Sequence, residues 1–319
     1  MNSARLKNDP ERYQLSNELH ARPFPTLTAP CRAIFLGIRP DGAAERDHEV
    51  DRRHLIDLLD RHGCPHPAPG AQHYAGEFGR GSLKWESHTE FVTYTIFAPG
   101  VSQATFSADS LSMFPEDWLA GINGQIVSAA MVRIEEVETP EAAEADFINR
   151  MSEHFAPESL STGFVVDREA LVASDFRIHE DGLSRILVYA IKGVGPRRLG
   201  RIVQRVLEIE SYKSFALLSL PVAREIAGRV TEIDNRLAEI KDRTGEPRAM
   251  LEALTDLASE VERLSTQSAF RFGAAGAYEA IVHDRIAVLR EERMRGRQLY
   301  SEFMTRRFDP AMRTCRSAE

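Results

Sequence analysis

The segment Gly193-Val194-Gly195-Pro196-Arg197-Arg198 separates two parts of the chain that have different sequence patterns. Before it, short runs rich in β-branched and aromatic residues alternate with amphipathic runs. After it, apolar residues recur at helical spacing and strand signals are almost absent. Two glycines and a proline are typical of a point where one kind of regular structure ends and another begins. The sequence therefore predicts a domain boundary here, with domains at residues 1–195 and 196–319.

The first part of the chain predicts an α+β domain built on a mostly antiparallel sheet. Its opening elements have the order β-α-β-β-α-β, which is that of a ferredoxin-like split unit, and extra strands follow. The strands are expected at residues 31–38, 72–78, 83–97, 125–137, 163–166, 171–178 and 184–191. The helices are expected from residue 50 up to Gly63, at residues 115–120 and at residues 140–155.

The second part predicts an elongated antiparallel helical bundle, or coiled-coil stalk. Apolar residues in its first helix are spaced three and four apart, as in a heptad seam, at Ala223, Ile226, Val230, Ile233, Leu237 and Ile240. Such a seam fits either an intramolecular core or pairing with a second subunit. Pro221 should interrupt this helix, which otherwise covers residues 197–241. Residues 243–247 should end it, and two further helical stripes begin at Leu251 and Ala274.

Composition and charge narrow the class of protein. The 319 residues carry a formal net charge of −8, which argues against general nucleic-acid binding. The 22 basic and 19 acidic residues from Pro196 onward give this part a net charge of +3, against −11 before it. The three cysteines are far apart, which is typical of a reducing compartment. With no signal-peptide pattern and no long apolar run, the chain is expected to be cytoplasmic.

The run from Trp85 to Glu90 is the first candidate ligand-binding segment. On a strand that continues through this run, Glu86, His88 and Glu90 project from one face. Two carboxylates beside an imidazole are able to act as acid and base or to hold a cation. The alternative is that this face is the solvent side of an antiparallel strand whose other face, with Trp85, is buried.

Three other segments carry chemically useful residues. His20 and Arg22, before a proline-rich turn, are able to grip a phosphate or carboxylate, or they belong to a segment that closes a sheet edge. Arg197 and Arg198 begin a long helix and are candidate anion-binding residues, although the glycines before them also fit a simple turn. The cluster His62-Gly63-Cys64-Pro65-His66 lacks zinc-site spacing, so neither a metal nor a cofactor is expected.

The end of the chain is rich in arginine. These residues are Arg290, Arg293, Arg295, Arg297, Arg306, Arg307, Arg313 and Arg316. Such a stretch is attracted to anionic lipid and fits the positive-inside pattern when a spanning helix follows. The alternative is a solvated helix face, since acidic residues are interspersed among the arginines.

Three segments together resemble a known family. They are Asn17-Glu18-Leu19-His20-Ala21-Arg22-Pro23, Lys84-Trp85-Glu86-Ser87-His88-Thr89-Glu90-Phe91, and the run of residues 200–212 (GRIVQRVLEIESY) continuing to Leu220-Pro221-Val222-Ala223-Arg224-Glu225. Over essentially the whole chain, the sequence is similar to an uncharacterised family of membrane-anchored bacterial proteins, domain of unknown function 3422. The resemblance implies a C-terminal pair of membrane spans, absent from this chain, but no activity. This general plan resembles that of CorA-type magnesium channels.

Three functions are compatible with these observations. The first is a non-enzymatic cytoplasmic sensor or docking module of a membrane-anchored protein, homo-oligomeric through its helical part, at the cytoplasmic face of the bacterial inner membrane. The second is an enzyme or binder of a small molecule or metal that uses the His20/Arg22 and Glu86/His88/Glu90 segments. The third is the cytoplasmic part of a CorA-like transport protein. The sequence identifies neither a ligand nor a catalytic residue. Nucleic acid is not an expected partner.

Overall fold

Strands precede residue 192 and helices dominate after residue 196 in the computed structural model, which describes residues 8–18, 23–40, 47–242 and 247–318. Within these ranges, the helices are α1 Arg12–Glu18, α2 His48–Asp60, α3 Glu116–Ala120, α4 Pro140–Asp146, α5 Pro196–Leu217, α6 Ser219–Asp242, α7 Pro247–Leu289, α8 Tyr300–Phe303 and α9 Asp309–Ala318. The strands are β1 Cys31–Arg39, β2 His73–Phe78, β3 Gly81–Ser87, β4 Val92–Pro99, β5 Gln125–Val137, β6 Ser161–Val165, β7 Ala170–Ile178, β8 Ser184–Ile191 and β9 Glu292–Arg293. The predicted α+β class is confirmed.

The chain forms two compact units that interleave along the sequence. Unit 1 contains residues 1–136 and 192–204, and unit 2 contains residues 137–191 and 205–319. The strands have the order β2-β3-β4-β1-β5 in unit 1 and β8-β7-β6-β9 in unit 2. The expected change of pattern coincides with the start of α5 at Pro196. A division into domains at residues 1–195 and 196–319 stays a prediction.

The core of unit 1 lies around β1, which pairs antiparallel with β4 on one side and β5 on the other. This strand is a nearly continuous apolar run because it is buried between its two neighbours. The side chains of Ile34 and Leu36 on β1 and Leu58 on α2 are fully buried. Asp47 begins α2 by accepting a hydrogen bond from the backbone N–H of Glu49, which satisfies one of the free donors at the helix start.

The single strand expected at residues 83–97 is wrong, because this run forms the two strands β3 and β4. The polar residues between Ser87 and Phe91 make the connection, and the backbone N–H of His88 donates to the carbonyl of Phe91 at 2.8 Å. Ser87 and Val92 then face each other in an antiparallel register. With this extra strand, unit 1 does not have the six-element order on which the ferredoxin-like expectation depended.

The strands of unit 2 agree with the sequence pattern. β6, β7 and β8 lie within a few residues of their expected bounds, and β7 pairs antiparallel with both neighbours. The helix expected at residues 140–155 begins as α4, whose first turn is capped by Thr139 and has Pro140 at its start. It then continues as a π-helical turn, Phe147–Met151, and a 3₁₀ turn, Ser152–His154.

The helices after residue 196 differ from the antiparallel bundle of three helices that the sequence predicts. The helix is interrupted at Leu218, between α5 and α6. Pro221 therefore lies in the first turn of α6, where the missing backbone N–H costs little. The interruption expected at this proline is therefore confirmed. Two helices expected after Pro247 form one helix of 43 residues, α7, because its stretch between the two stripes contains no proline and its glycines are tolerated. The structure does not establish a coiled-coil stalk.

A close backbone approach fixes α5 in unit 1 and gives a test of the fold. A Cβ atom built on Gly200 meets the carbonyl oxygen of Pro25 at 1.7 Å, whereas one built on Gly228 in α6 meets nothing within 4 Å. We expect Gly200→Ala to lower the free energy of unfolding by about 1–3 kcal/mol through this clash. The control Gly228→Ala should raise it by about 0.5–1 kcal/mol, because alanine favours the helix. Urea unfolding measures both, and a Gly200→Ala variant as stable as the parent would contradict the packing.

Candidate functional site

Trp85 lies in the core of unit 1 and not at a ligand-binding surface. It is almost completely buried and faces Tyr74 on β2 and Tyr94 on β4 in the strand register. Its indole N–H has no hydrogen-bond partner. The structure therefore supports the buried interpretation of this residue.

Glu86 forms a largely buried ion pair with Lys84, two residues earlier on the same face of β3. Lys84 Nζ lies 3.0 Å from Glu86 Oε2 and donates to Gln204 Oε1 of α5 at 2.9 Å. The side chains of Lys84 and Glu86 are 9% and 15% exposed. Buried charges are stable only when they are paired and hydrogen-bonded, and this arrangement meets both conditions. The sequence predicts that this face of β3 is either catalytic or exposed to solvent. In the structure, α5 contacts this face through Gln204.

His88 and Glu90 do not continue the face of Glu86. β3 ends at Ser87, so the strand alternation that was to bring Glu86, His88 and Glu90 together is wrong. The ring of His88 stacks on Phe91 with centroids 4.2 Å apart, and Glu90 is buried in the connection between β3 and β4. The strand alternation ends at Ser87 because residues 88–91 must reverse the direction of the chain before β4 begins.

The first turns of α5 contact Pro25 and Leu27. Arg197 is exposed and Arg198 is half-buried in its first turn, and the backbone N–H of Leu27 donates to the carbonyl of Pro196 at 3.1 Å. His20 and Arg22 lie outside the described residues. The residues that directly follow them run along α5, since Pro25 contacts Gly200. Anion binding by Arg197 and Arg198 stays a prediction.

Gly200 and Gln204, which belong to one of the segments that carry the family resemblance, are one turn apart on α5 and share a face of this helix. Gly200 lies against Pro25, two residues after the first segment, and Gln204 holds Lys84 in the second. All of these residues belong to unit 1. The arrangement explains why a glycine and an amide occur on an otherwise apolar helix face: one allows backbone contact, and the other satisfies a buried ammonium group.

Unit 2 contains a buried polar cluster that the sequence interpretation missed. It lies where β7 has a bulge between Ser174 and Ile178, and Phe176 in this bulge has a φ of 55°. Such bulges and strained residues are frequent beside functional sites. The members of the cluster are Asp175, His179, Glu210, Lys213 and Tyr300.

Hydrogen bonds hold the carboxylates of this cluster. Asp175 Oδ2 accepts from the backbone N–H of Ala156 at 2.8 Å and lies 3.0 Å from His179 Nε2. Glu210 Oε1 accepts from Ser184 Oγ at 3.1 Å and from Lys213 Nζ at 3.2 Å.

Burial raises the pKa of Tyr300 well above its ordinary value, and the nearby charge of Glu210 adds to this shift. Because the carboxylates are engaged in these internal bonds, the cluster is a network that fixes the bulge. The sequence signal that was available is a pair of polar residues, Ser174-Asp175, inside an apolar strand.

Two further features are relevant to ligands. A groove of about 600 Å³ lies between α6 and α9, and Ile226, Val230 and Arg313 are among its lining residues. Although no metal was expected, one group within the described ranges has ligand atoms that all lie within 4.8 Å of one another, namely Glu279, His283 and Asp309. The sequence interpretation missed this group because its members are separated along the chain.

Comparison with known families identifies the class of protein. The family described as "Protein of unknown function (DUF3422)" matches residues 7–319, so the chain belongs to this family. Searches of the curated proteins and of the solved structures find no significant match. None of the helices in the described part of the chain has the length and apolarity needed to cross a membrane.

The ion pair between Lys84 and Glu86 gives a testable energetic prediction. We expect Lys84→Met and Glu86→Gln each to lower the free energy of unfolding by about 3 kcal/mol, because each leaves one charge buried without its partner. The double variant should lose clearly less than the sum of the single losses, as a double-mutant cycle in urea measures. Glu252→Gln, in the exposed pair with Arg248, is the control and should change little. Additive losses at Lys84 and Glu86 would contradict the pairing.

Proposed function

We propose that this protein is a non-enzymatic docking module that self-associates through α6, and that it works at the cytoplasmic face of the inner membrane as part of a membrane-anchored protein. The observation that carries the proposal is an apolar column on α6 that the described part of the chain leaves exposed. The proposal is built from the exposure of that column, its charges, and the arginine-rich end of the chain.

The heptad seam of α6 consists of two columns in which residues are seven positions apart. Ile226 is buried, and Ile233 and Ile240, which continue its column, are half-buried. In the other column Ala223 is buried, but Val230 and Leu237 are 46% and 47% exposed. One column of the seam is thus largely covered, and the other is open from Val230 onward.

Exposed apolar residues also occur elsewhere on the helical arm, which consists of α6 and the first part of α7, residues 247–261. Val230 lines the groove between α6 and α9, so the column begins in a concave site. Exposed apolar residues also occur on the facing arm of α7, at Met250, Leu251 and Val261. The ion pair between Arg236 and Glu260, at 2.8 Å, joins α6 to α7. A column of exposed apolar residues along one helix, such as that of Val230 and Leu237, is typical of an interaction surface.

A second copy of the same chain is the occupant that this column fits best. A heptad column is complementary to an identical column, because knobs from one helix fill holes in the other. Residues 223–240 contain three basic and four acidic side chains, with the two signs interspersed. Two copies of this near-neutral stretch therefore approach each other without strong like-charge repulsion.

Charged substitutions in the open column test self-association. We expect Val230→Glu and Leu237→Glu each to raise the dissociation constant of the assembly at least about tenfold, since each buries a charge in the contact. Light scattering coupled to size-exclusion chromatography over a range of concentrations measures this change. Val288→Glu is the control, because Val288 is a 41% exposed residue of α7 outside the arm. A monomer at every concentration, or equal loss in the control, would overturn the proposal.

The membrane part of the proposal rests on the arginine-rich end of the chain. Arg290, Arg293 and Arg295 are ion-paired with Asp167, Glu302 and Glu144, and Arg316 binds Glu279. By contrast, Arg306, Arg307 and Arg313 are exposed to solvent. These three charges supply the attraction to anionic lipid, whereas the paired arginines are already neutralised within unit 2.

Binding to vesicles tests this assignment. The triple variant Arg306→Gln/Arg307→Gln/Arg313→Gln should bind vesicles containing phosphatidylserine about 100-fold more weakly, since each arginine near the surface contributes about 1 kcal/mol. The matched control Arg290→Gln/Arg293→Gln/Arg295→Gln removes the same charge from paired positions and should lose much less. Cosedimentation at low and physiological salt measures both variants. Equal losses in the two variants would contradict a specific role for the exposed arginines.

The other two roles have less support. An acid–base site at Glu86, His88 and Glu90 is disfavoured, because Glu86 is bound to Lys84 and Glu90 is buried away from solvent. The contribution of His20 and Arg22 to a ligand site stays a prediction. A CorA-like transport role also stays a prediction, based on the general plan that the family resemblance implies.

A further inference from the structure

We infer that Glu279, His283 and Asp309 form a binding site for a divalent transition-metal cation that joins α7 to α9. This site is independent of the proposed self-association and concerns different residues. Three features support the site: the spacing of the ligands, a buried carboxylate oxygen without a hydrogen bond, and the irregular helix that positions this oxygen.

The first two ligands come from adjacent turns of one helix. Glu279 and His283 are four residues apart on α7, so their side chains share a face. Asp309 is the first residue of α9, and one ligand atom from each of the three residues lies within 4.8 Å of the others. Three protein ligands of this kind, with water completing the coordination, are a common arrangement for zinc and related cations.

The electrostatic environment of Asp309 favours a cation. Its Oδ1 atom is buried and has no hydrogen-bond partner. His283 Nε2 lies 3.3 Å away and pairs with this oxygen when the imidazole is protonated, and the charge of Arg316 also acts on Asp309, but neither group donates a hydrogen bond to Oδ1. A buried carboxylate oxygen without a donor is costly, and a cation held between this oxygen and the imidazole nitrogen removes that cost.

The position of Asp309 follows from an irregular helix. A π-helical turn, Met304–Phe308, lies between α8 and α9, directly before Asp309. Pro310 follows, and it has no backbone N–H to donate to the preceding turn. The π-helical turn shifts the register of the residues after it, and such turns are frequent at functional sites. The irregularity thus brings a carboxylate from α9 towards the pair on α7.

Arg316 acts as an outer partner of this site. Its guanidinium group binds Glu279 Oε2, and this contact raises the pKa of Arg316. A carboxylate has a second oxygen, so Glu279 is able to bind a metal through Oε1 while Arg316 orients it through Oε2. Hydrogen bonds of this type to ligating carboxylates are usual in metal sites.

The ligand types define the class of cation. An imidazole nitrogen with two carboxylates suits Zn²⁺ and other transition-metal dications, whereas Mg²⁺ and Ca²⁺ prefer oxygen ligands alone. We therefore expect Zn²⁺ to bind and Mg²⁺ at the same concentration not to displace it. A bound cation should also raise the thermal midpoint of unfolding, since it binds only the folded arrangement of α7 and α9.

Calorimetric titration of the full chain with ZnCl₂ tests the site. Compared with the parent, His283→Ala should bind one Zn²⁺ fewer, or bind it at least about 100-fold more weakly. His66→Ala is the matched control, because His66 pairs with Asp60 and has the same 45% side-chain exposure but belongs to no group of three ligands. It should retain the binding of the parent.

A second variant separates loss of a ligand from loss of folding. Asp309→Asn keeps the size of the side chain and its ability to begin a helix, but it removes the negative charge. It should unfold near the temperature of the parent without Zn²⁺ and lose the increase that Zn²⁺ produces. Zinc binding of equal stoichiometry and affinity in His283→Ala and the parent would overturn the inference, as would displacement of Zn²⁺ by an equal concentration of Mg²⁺.

Discussion

Burial of the apolar faces of the long helices is the constraint on which the rest of the structure depends. α5 satisfies it completely: Ile202, Val203 and Val206 are all buried. α6 satisfies it in its first turns and along one column, but Val230 and Leu237 stay open to solvent. Because exposed apolar columns are costly in water, the unsatisfied part of α6 is where a protein partner gains most. The proposed self-association follows from this difference between two consecutive helices.

The buried charges have a different role, which is to specify how the elements pack. Lys84 reaches both Glu86 and Gln204, so β3 and α5 fit together in only one register. In unit 2, Asp175 and Glu210 accept several hydrogen bonds beside the bulge of β7. A buried charge without its partner is strongly destabilising, so misplaced packing is penalised at both points. One oxygen of Glu210, Oε2, is buried without a hydrogen-bond partner.

Local patterns made much of the fold predictable. β1 and β8 are compact apolar runs between turn residues, and the break before α6 follows from the backbone chemistry of Pro221. The expectation failed where tertiary contacts override local pattern. The run of residues 83–97 has enough β-forming residues for one strand, but its polar centre turns back and Glu90 becomes buried. The only local signal that α7 continues between its two apolar stripes is the lack of a proline there, and this signal is too weak to predict one helix of 43 residues.

The candidate sites were harder to predict than the fold. The sequence interpretation singled out Glu86 as a candidate ligand-binding residue, but it did not foresee the pair with Lys84, or that Lys84 binds Gln204, which is 120 residues further along the chain. Glu279 and His283 have a visible helical spacing, yet Asp309 joins them only through the folding of α9. Sites assembled from distant segments depend on topology, and periodicity within a segment carries no information about it.

Hydrogen–deuterium exchange of the unmodified chain at low and high protein concentration tests the central claim most directly. Peptides covering residues 230–240 should exchange more slowly at high concentration, because a second copy covers the open column of α6. Peptides from β1, which is already buried in unit 1, should exchange at the same rate in both samples. Equal exchange of the α6 peptides at both concentrations, while the protein is shown to associate, would place the contact elsewhere and contradict the account.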